Sequence, residues 1–146
     1  VLALVFDNDE GEADLAYVDG ALQDSGLDLE TAVLLSLHCD APALDGDVLP
    51  VGTPLRGWWG DDFDDDGAGP MGSRLWLLDD AAVSEATASR ARTYAKEAMA
   101  WLVKDGHVRE VDALTVVGDE AIQLIPVVRL KNGDEIRFSP LQVGAA

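Results

Sequence analysis

Between Ser84 and Lys104, small and apolar residues return every three or four positions, namely Ala88, Ala91, Ala95, Ala98 and Leu102. That period predicts one long amphipathic helix, with Tyr94 and Trp101 widening its stripe. Ser84 can cap the start, while Lys104 and Gly106 mark the end. Arg92 and Lys96 lie opposite the stripe. The alanines allow a sheet or a second helix to approach closely, and Tyr94 and Trp101 are the expected large anchors. A shorter helix is expected over Leu27 to Asp40, with Asp28 as N-cap and Leu29, Ala32, Val33, Ser36 and Leu37 as its stripe. Leu34 and Leu35 broaden that stripe, and Pro42 stops the helix.

After the long helix the period changes from helical to alternating. Val111, Ala113, Thr115 and Val117 share one face of a strand over Val108 to Val117, and Leu114 and Val116 make the other face partly apolar. Gly118-Asp119 turns the chain into a second strand over Ala121 to Lys131, where Pro126 argues for an edge or a bulge. Lys131-Asn132-Gly133-Asp134 is the strongest hairpin signal, returning through Glu135 to Ser139. These segments predict a three-stranded antiparallel meander packed on the long helix, followed by a short frayed tail from Pro140. At the other end, Leu2 to Phe6 and Asp14 to Val18 have extended character, and Asp19-Gly20 is a hairpin turn. The expected fold is therefore α+β, with helices against a small antiparallel C-terminal sheet and an N-terminal extended arm or ribbon. Residues 1–26 form the arm, and residues 27–146 form a single domain that includes an acidic loop at 61–70.

Charge changes this picture more than any other compositional fact. The formal net charge is -18. Residues 1–70 hold 17 Asp/Glu against one Arg, whereas residues 71–146 hold 11 Asp/Glu against nine Lys/Arg. The acidic half repels nucleic acid and anionic lipid. Two readings of it stand: solvated loops that aid solubility, or a surface that docks a basic protein partner. No run of 18 apolar residues marks a membrane span, and no basic and apolar opening marks a signal segment. The chain opens on Val1 rather than Met, which leaves an upstream piece open. A lone cysteine, Cys39, excludes an internal disulfide framework and slightly favours a reducing compartment.

Candidate chemistry is sparse. Asp62, Asp64 and Asp66 match positions 1, 3 and 5 of a calcium loop and Gly67 its turning position, but Ser73 stands where the bidentate Glu belongs. Weak cation binding or a solvated loop is the expectation there. His38, Cys39 and His107 offer no zinc frame, and nothing around Cys39 resembles a nucleophile elbow. Glu30 and Glu97 are the only carboxylates inside apolar patterns, and a solvent-facing position serves both equally well. No catalytic residue and no cofactor are expected.

The tryptophans ask for a different explanation. Trp58 and Trp59 are adjacent and flanked by Gly57 and Gly60, so both cannot enter one small core. Either the indoles fold over the domain's own helix ends, or they join Arg56, Arg74 and Trp76 as interface anchors. Here the sequence resembles a known family. Glu30 to Leu37, Arg56-Gly57-Trp58-Trp59-Gly60-Asp61, Gly72-Ser73-Arg74-Leu75-Trp76-Leu77-Leu78, and the helix through Tyr94-Ala95 to Trp101-Leu102 are similar to the Mu-like phage baseplate family described as phage protein GP46. That resemblance implies a non-enzymatic structural subunit of a contractile phage or prophage tail, placed in the baseplate wedge near the hub and helping to initiate the sheath. It implies wedge, hub and sheath proteins as partners, with the terminal strands joining those of neighbours. It also implies a location in the virion tail after assembly in the host cytoplasm, while the acidic first half, which discourages self-association, predicts a monomer or small oligomer in isolation. Two alternatives are a lysozyme-like hydrolase, a label some relatives have carried, and a soluble adaptor domain for a basic partner. The Asp62 to Asp66 run departs from the family pattern, as a docking surface or a variable insertion.

Overall fold

The computed structural model describes residues 4–7, 12–15, 17–18, 21–22, 29–49, 56–57 and 70–144. By packing, the chain divides into Val1–Leu35 and Ser36–Ala146, a division that falls inside the first helix. In the first unit, β1 (Leu4–Asp7) pairs antiparallel with β2 (Glu12–Leu15), and β3 (Tyr17–Val18) pairs with β4 (Ala21–Leu22). Val18 faces Ala21, and the expected turn residues Asp19 and Gly20 lie outside the described residues. The helix α1 (Leu29–His38) then begins, with Thr31, Ala32, Val33, Ser36 and Leu37 buried and Glu30 exposed. The proposed cap, Asp28, lies outside the described residues.

The second unit is built on α2 (Glu85–Lys104) lying across a sheet. Ser84 accepts a hydrogen bond from the Thr87 backbone N–H, satisfying an orphan donor of the first turn. At the other end, Gly106 N–H reaches Val103 O at 3.0 Å and His107 N–H reaches Leu102 O at 2.9 Å. This is a Schellman ending, and its left-handed position is filled by Gly106 at φ 75°. The buried face of α2 runs Thr87, Ala88, Ala91, Tyr94, Ala95, Met99 and Leu102. Against it lie Val111, Ala113, Ile122, Leu124 and Val128, and the small alanines permit the close approach.

The expectation for Trp101 is corrected. It lies at the flank of the stripe, 36% exposed, and Met99 takes the buried position instead. The indole carries a donor, which it gives to Ser36 Oγ at 2.8 Å, so a fully apolar burial would have orphaned that N–H.

The sheet has four strands rather than three: β5 (Glu110–Val117), β6 (Ile122–Arg129), β7 (Glu135–Arg137) and β8 (Leu141–Val143). The segment expected to fray after Pro140 pairs with β6 and buries Val143. Asn132-Gly133 makes the β6–β7 turn, where Asn132 Oδ1 accepts from the Asp134 N–H at 3.0 Å. Pro126 is also corrected, for it sits in the central strand. On one side β6 pairs with β5 along its whole length; on the other it meets β7 over Val127–Arg129 and β8 over Ile122–Leu124. Pro126 accepts a bond from the Phe138 N–H at 3.0 Å and has no N–H to return. The missing donor therefore points into the break between β7 and β8, where no ladder bond is lost.

Candidate functional site

The distinctive Gly72 to Leu78 stretch folds into a close approach followed by a 3₁₀ helix (Leu75–Leu78). Gly72 has φ 110°, and a Cβ built there would stand 2.3 Å from the Cys39 carbonyl oxygen. Only glycine allows the next residue to form a parallel bridge with Asp40. Ser73 N–H bonds Cys39 O at 2.8 Å, and Ala41 N–H bonds Ser73 O at 2.9 Å. Ser73 Oγ donates to Leu37 O at 2.7 Å, satisfying one carbonyl at the end of α1, and accepts from the Leu75 N–H at 3.3 Å. One hydroxyl thus joins the end of α1 to the 3₁₀ helix.

Arg74 and Trp76 project from this joint. Arg74 Nη1 lies 2.9 Å from both Asp47 carboxylate oxygens, Nη2 bonds Glu97, and the guanidinium stacks 4.4 Å from the Tyr94 ring centre. Asp47 also accepts from the Leu44 N–H at 2.8 Å. Burial would raise the Asp47 pKa, but the Leu44 N–H and the Arg74 charge outweigh it and hold the carboxyl below its ordinary value. Trp76 is only 4% exposed, and its Nε1 donates to Ala41 O at 2.8 Å.

Arg56 lies over Trp76, 4.7 Å from the ring centre, with Nη1 3.0 Å from Asp40 and 4.0 Å from Asp79. Its backbone takes φ 48°, a left-handed conformation that a side chain of this size rarely adopts. Burial raises the Asp79 pKa; Arg56 pulls it down, while Asp40 and Asp80 push it up. Beside this platform is a hollow of about 160 Å³ lined by Leu37, Asp40, Trp76, Asp79, Leu141 and Val143.

The structure thus brings Arg56 to Trp76 and, separately, Arg74 to Tyr94. Trp58, Trp59, Asp62, Asp64 and Asp66 lie outside the described residues. Among the described residues, no three His, Cys, Asp or Glu side chains converge where a metal ion could be held. His107 packs edge-on against Trp101 at 5.7 Å, Cys39 is half-buried and His38 is exposed. Glu30 is exposed, and Glu97 is half-exposed and paired with Arg74, unlike the apolar pocket a general acid requires. The Asp47 partner of Arg74 has no sequence signal, because 27 residues separate the pair.

The sheet face turned away from α2 differs in kind. Arg129 bridges Glu110 and Glu135 at 2.6 and 3.2 Å, and Arg137 bonds Glu135 at 3.0 Å. Toward the other end, Leu114 and Val116 stand exposed on that face, Val116 at 54%.

The family model described as phage protein GP46 matches residues 29–135 of the chain. The baseplate protein gp46 of Escherichia phage Mu is 42% identical over 112 residues, covering 76% of this chain and 73% of that protein. The Mu-like prophage FluMu protein gp46 of Haemophilus influenzae is 32% identical over 127 residues, covering 87% of this chain and 84% of that protein. The matched span takes in both helices, the Gly72 to Leu78 joint and the sheet through the start of β7, so the chain belongs to the phage protein GP46 family.

Proposed function

We propose that this chain is a structural subunit of a phage or prophage contractile-tail baseplate, acting by protein–protein assembly and catalysing nothing. The observation that carries the reading is the 42% identity, over three quarters of the chain, to a protein named for the baseplate. The subunit takes its place near the hub, in contact with wedge and hub proteins, and helps initiate the sheath through contact with the sheath subunit. Its working location is the virion tail, reached after assembly in the host cytoplasm. Isolated, it is a monomer or small oligomer, with no cofactor and at most weak cation binding at Asp62, Asp64 and Asp66.

The contact surface draws on Arg56, Trp58, Trp59, Arg74 and Trp76. An arginine held at φ 48° over a buried indole, and continued in sequence by Gly57 and two tryptophans, offers the aromatic and guanidinium chemistry that anchors interfaces. A hydrolase reading draws no comparable support, since Glu97 is engaged by Arg74 and Glu30 is exposed.

The test replaces Trp58 and Trp59 together with serine in an inducible prophage encoding the chain, after circular dichroism confirms that the altered protein folds. Accumulation of tail tubes or hubs without sheath is expected. Normal yields of sheathed, infectious tails would sink the interface assignment.

A further inference from the structure

We propose that Arg92 and Asp112 form a guard on the outer edge of β5 that keeps a second copy of this chain from pairing with it strand to strand. Among the described residues β5 pairs only with β6, so its other edge is open. The direction of its backbone groups follows from the ladder. Pro126 accepts from the Phe138 N–H and so faces the β7 side. Its neighbours Ile125 and Val127 consequently face β5, where they meet Leu114 and Asp112. Alternation then turns the N–H and C=O groups of Val111, Ala113, Thr115 and Val117 outward.

Ala113, near the middle of that edge, has both of its outward groups occupied by side chains. Arg92 Nε reaches from α2 and donates to Ala113 O at 2.8 Å. The Ala113 N–H donates to Asp112 Oδ1, also at 2.8 Å. Arg92 and Lys96 lie 3.8 and 3.6 Å from the same Asp112 oxygen, locking donor and acceptor together. Burial works against the Asp112 charge, but the Ala113 N–H, Lys96 and Arg92 hold the carboxyl below its ordinary range, so the contact persists across neutral pH. An incoming strand must displace both side chains at the position where its own ladder bonds would form.

The guard excludes a second β5. Leu114, Val116 and Val117 are exposed, so the open edge of β5 carries apolar side chains. Antiparallel pairing of β5 with β5 would place Leu114 and Val116 of the two copies side by side on the open face, about a two-fold axis. The opposite edge is instead split into two strands of three residues each, too short to template a long pairing.

The experiment compares the wild-type chain with the double variant Arg92→Gln, Asp112→Thr by sedimentation velocity over a graded concentration series. One charge of each sign is lost, so the net charge of -18 is unchanged and altered repulsion cannot explain the result. Self-association at least about tenfold tighter than wild type is expected, the worth of roughly one charge-assisted hydrogen bond. Adding Thr115→Pro, which removes an outward N–H that β6 does not use, should return the double variant to wild-type behaviour. Arg92→Lys keeps the charge but not the Nε–H donor, and should associate to an intermediate degree. The guard is refuted if the folded double variant sediments like wild type, or if its association survives Thr115→Pro. Should the double variant not fold, Arg92→Lys indistinguishable from wild type refutes it as well.

Discussion

The α2–sheet core and the Gly72 to Leu78 joint sit in the same unit and are held by different physics. The first is a face of alanines, Met99 and Leu102 laid on Val111, Ala113, Ile122, Leu124 and Val128, and almost all of its cohesion is apolar area removed from water. The second buries Leu75, Trp76, Leu77 and Leu78, but its position depends on one glycine, one hydroxyl and two stacked guanidinium groups. An apolar face tolerates substitution of like for like. A joint made of single atoms does not, so the two regions should differ in how damage depends on the size and chemistry of the change.

In the core, volume should dominate. Leu102 is fully buried, and Leu102→Ala should cost about 4 kcal/mol, read as a lowered urea midpoint at unchanged slope. Leu102→Met should recover most of it. At the joint the smallest possible enlargement is the test. Gly72→Ala adds one methyl where the Cys39 oxygen stands 2.3 Å away and φ is 110°, and should cost about 3 kcal/mol by the same measurement. A loss under about 1 kcal/mol would mean that the 39–41 segment yields to the methyl and that the joint is soft.

The joint, unlike the core, should also respond to pH. The folded pKa of Asp47 is depressed, so its pairing with Arg74 stabilises fully above the unfolded value of about 3.9 and is lost as pH falls through the folded one. Asp47→Asn should cost about 1 to 2 kcal/mol at neutral pH and flatten the acid limb of the stability profile. Core substitutions such as Leu102→Met should leave that limb parallel to wild type.

The same contrast decides what could be read from the sequence. The bounds of α2 were legible because Ser84 and Gly106 act within a turn of themselves, and its buried stripe because 3.6-residue spacing repeats over five turns. The Asn132-Gly133 reversal was legible for the same local reason. Leu141-Gln142-Val143 is not legible as a strand, because three residues of alternation carry almost no period. Pro126 pointed to an edge because the proline rule concerns the N–H alone, and a central strand satisfies it wherever that N–H would face a break. The size of Trp101 does not fix its depth, because its N–H requires Ser36 at the edge of the stripe. At the joint, Arg74 and Trp76 could be singled out as residue types. Their partners Asp47 and Ala41 lie 27 and 35 residues away, joined by no repeating pattern.

The break beside Pro126 has one more consequence, for cooperativity. Pro126 sits where β7 and β8, along the same side of β6, fail to form a continuous ladder; each is zipped to its own three residues of the central strand. Loss of pairing at Leu141–Val143 is therefore not propagated through backbone bonds to Glu135–Arg137, and the hairpin closed by Asn132-Gly133 keeps its register whether or not β8 is seated. The sheet behaves as a fixed three-stranded slab with a separately fastened fourth piece.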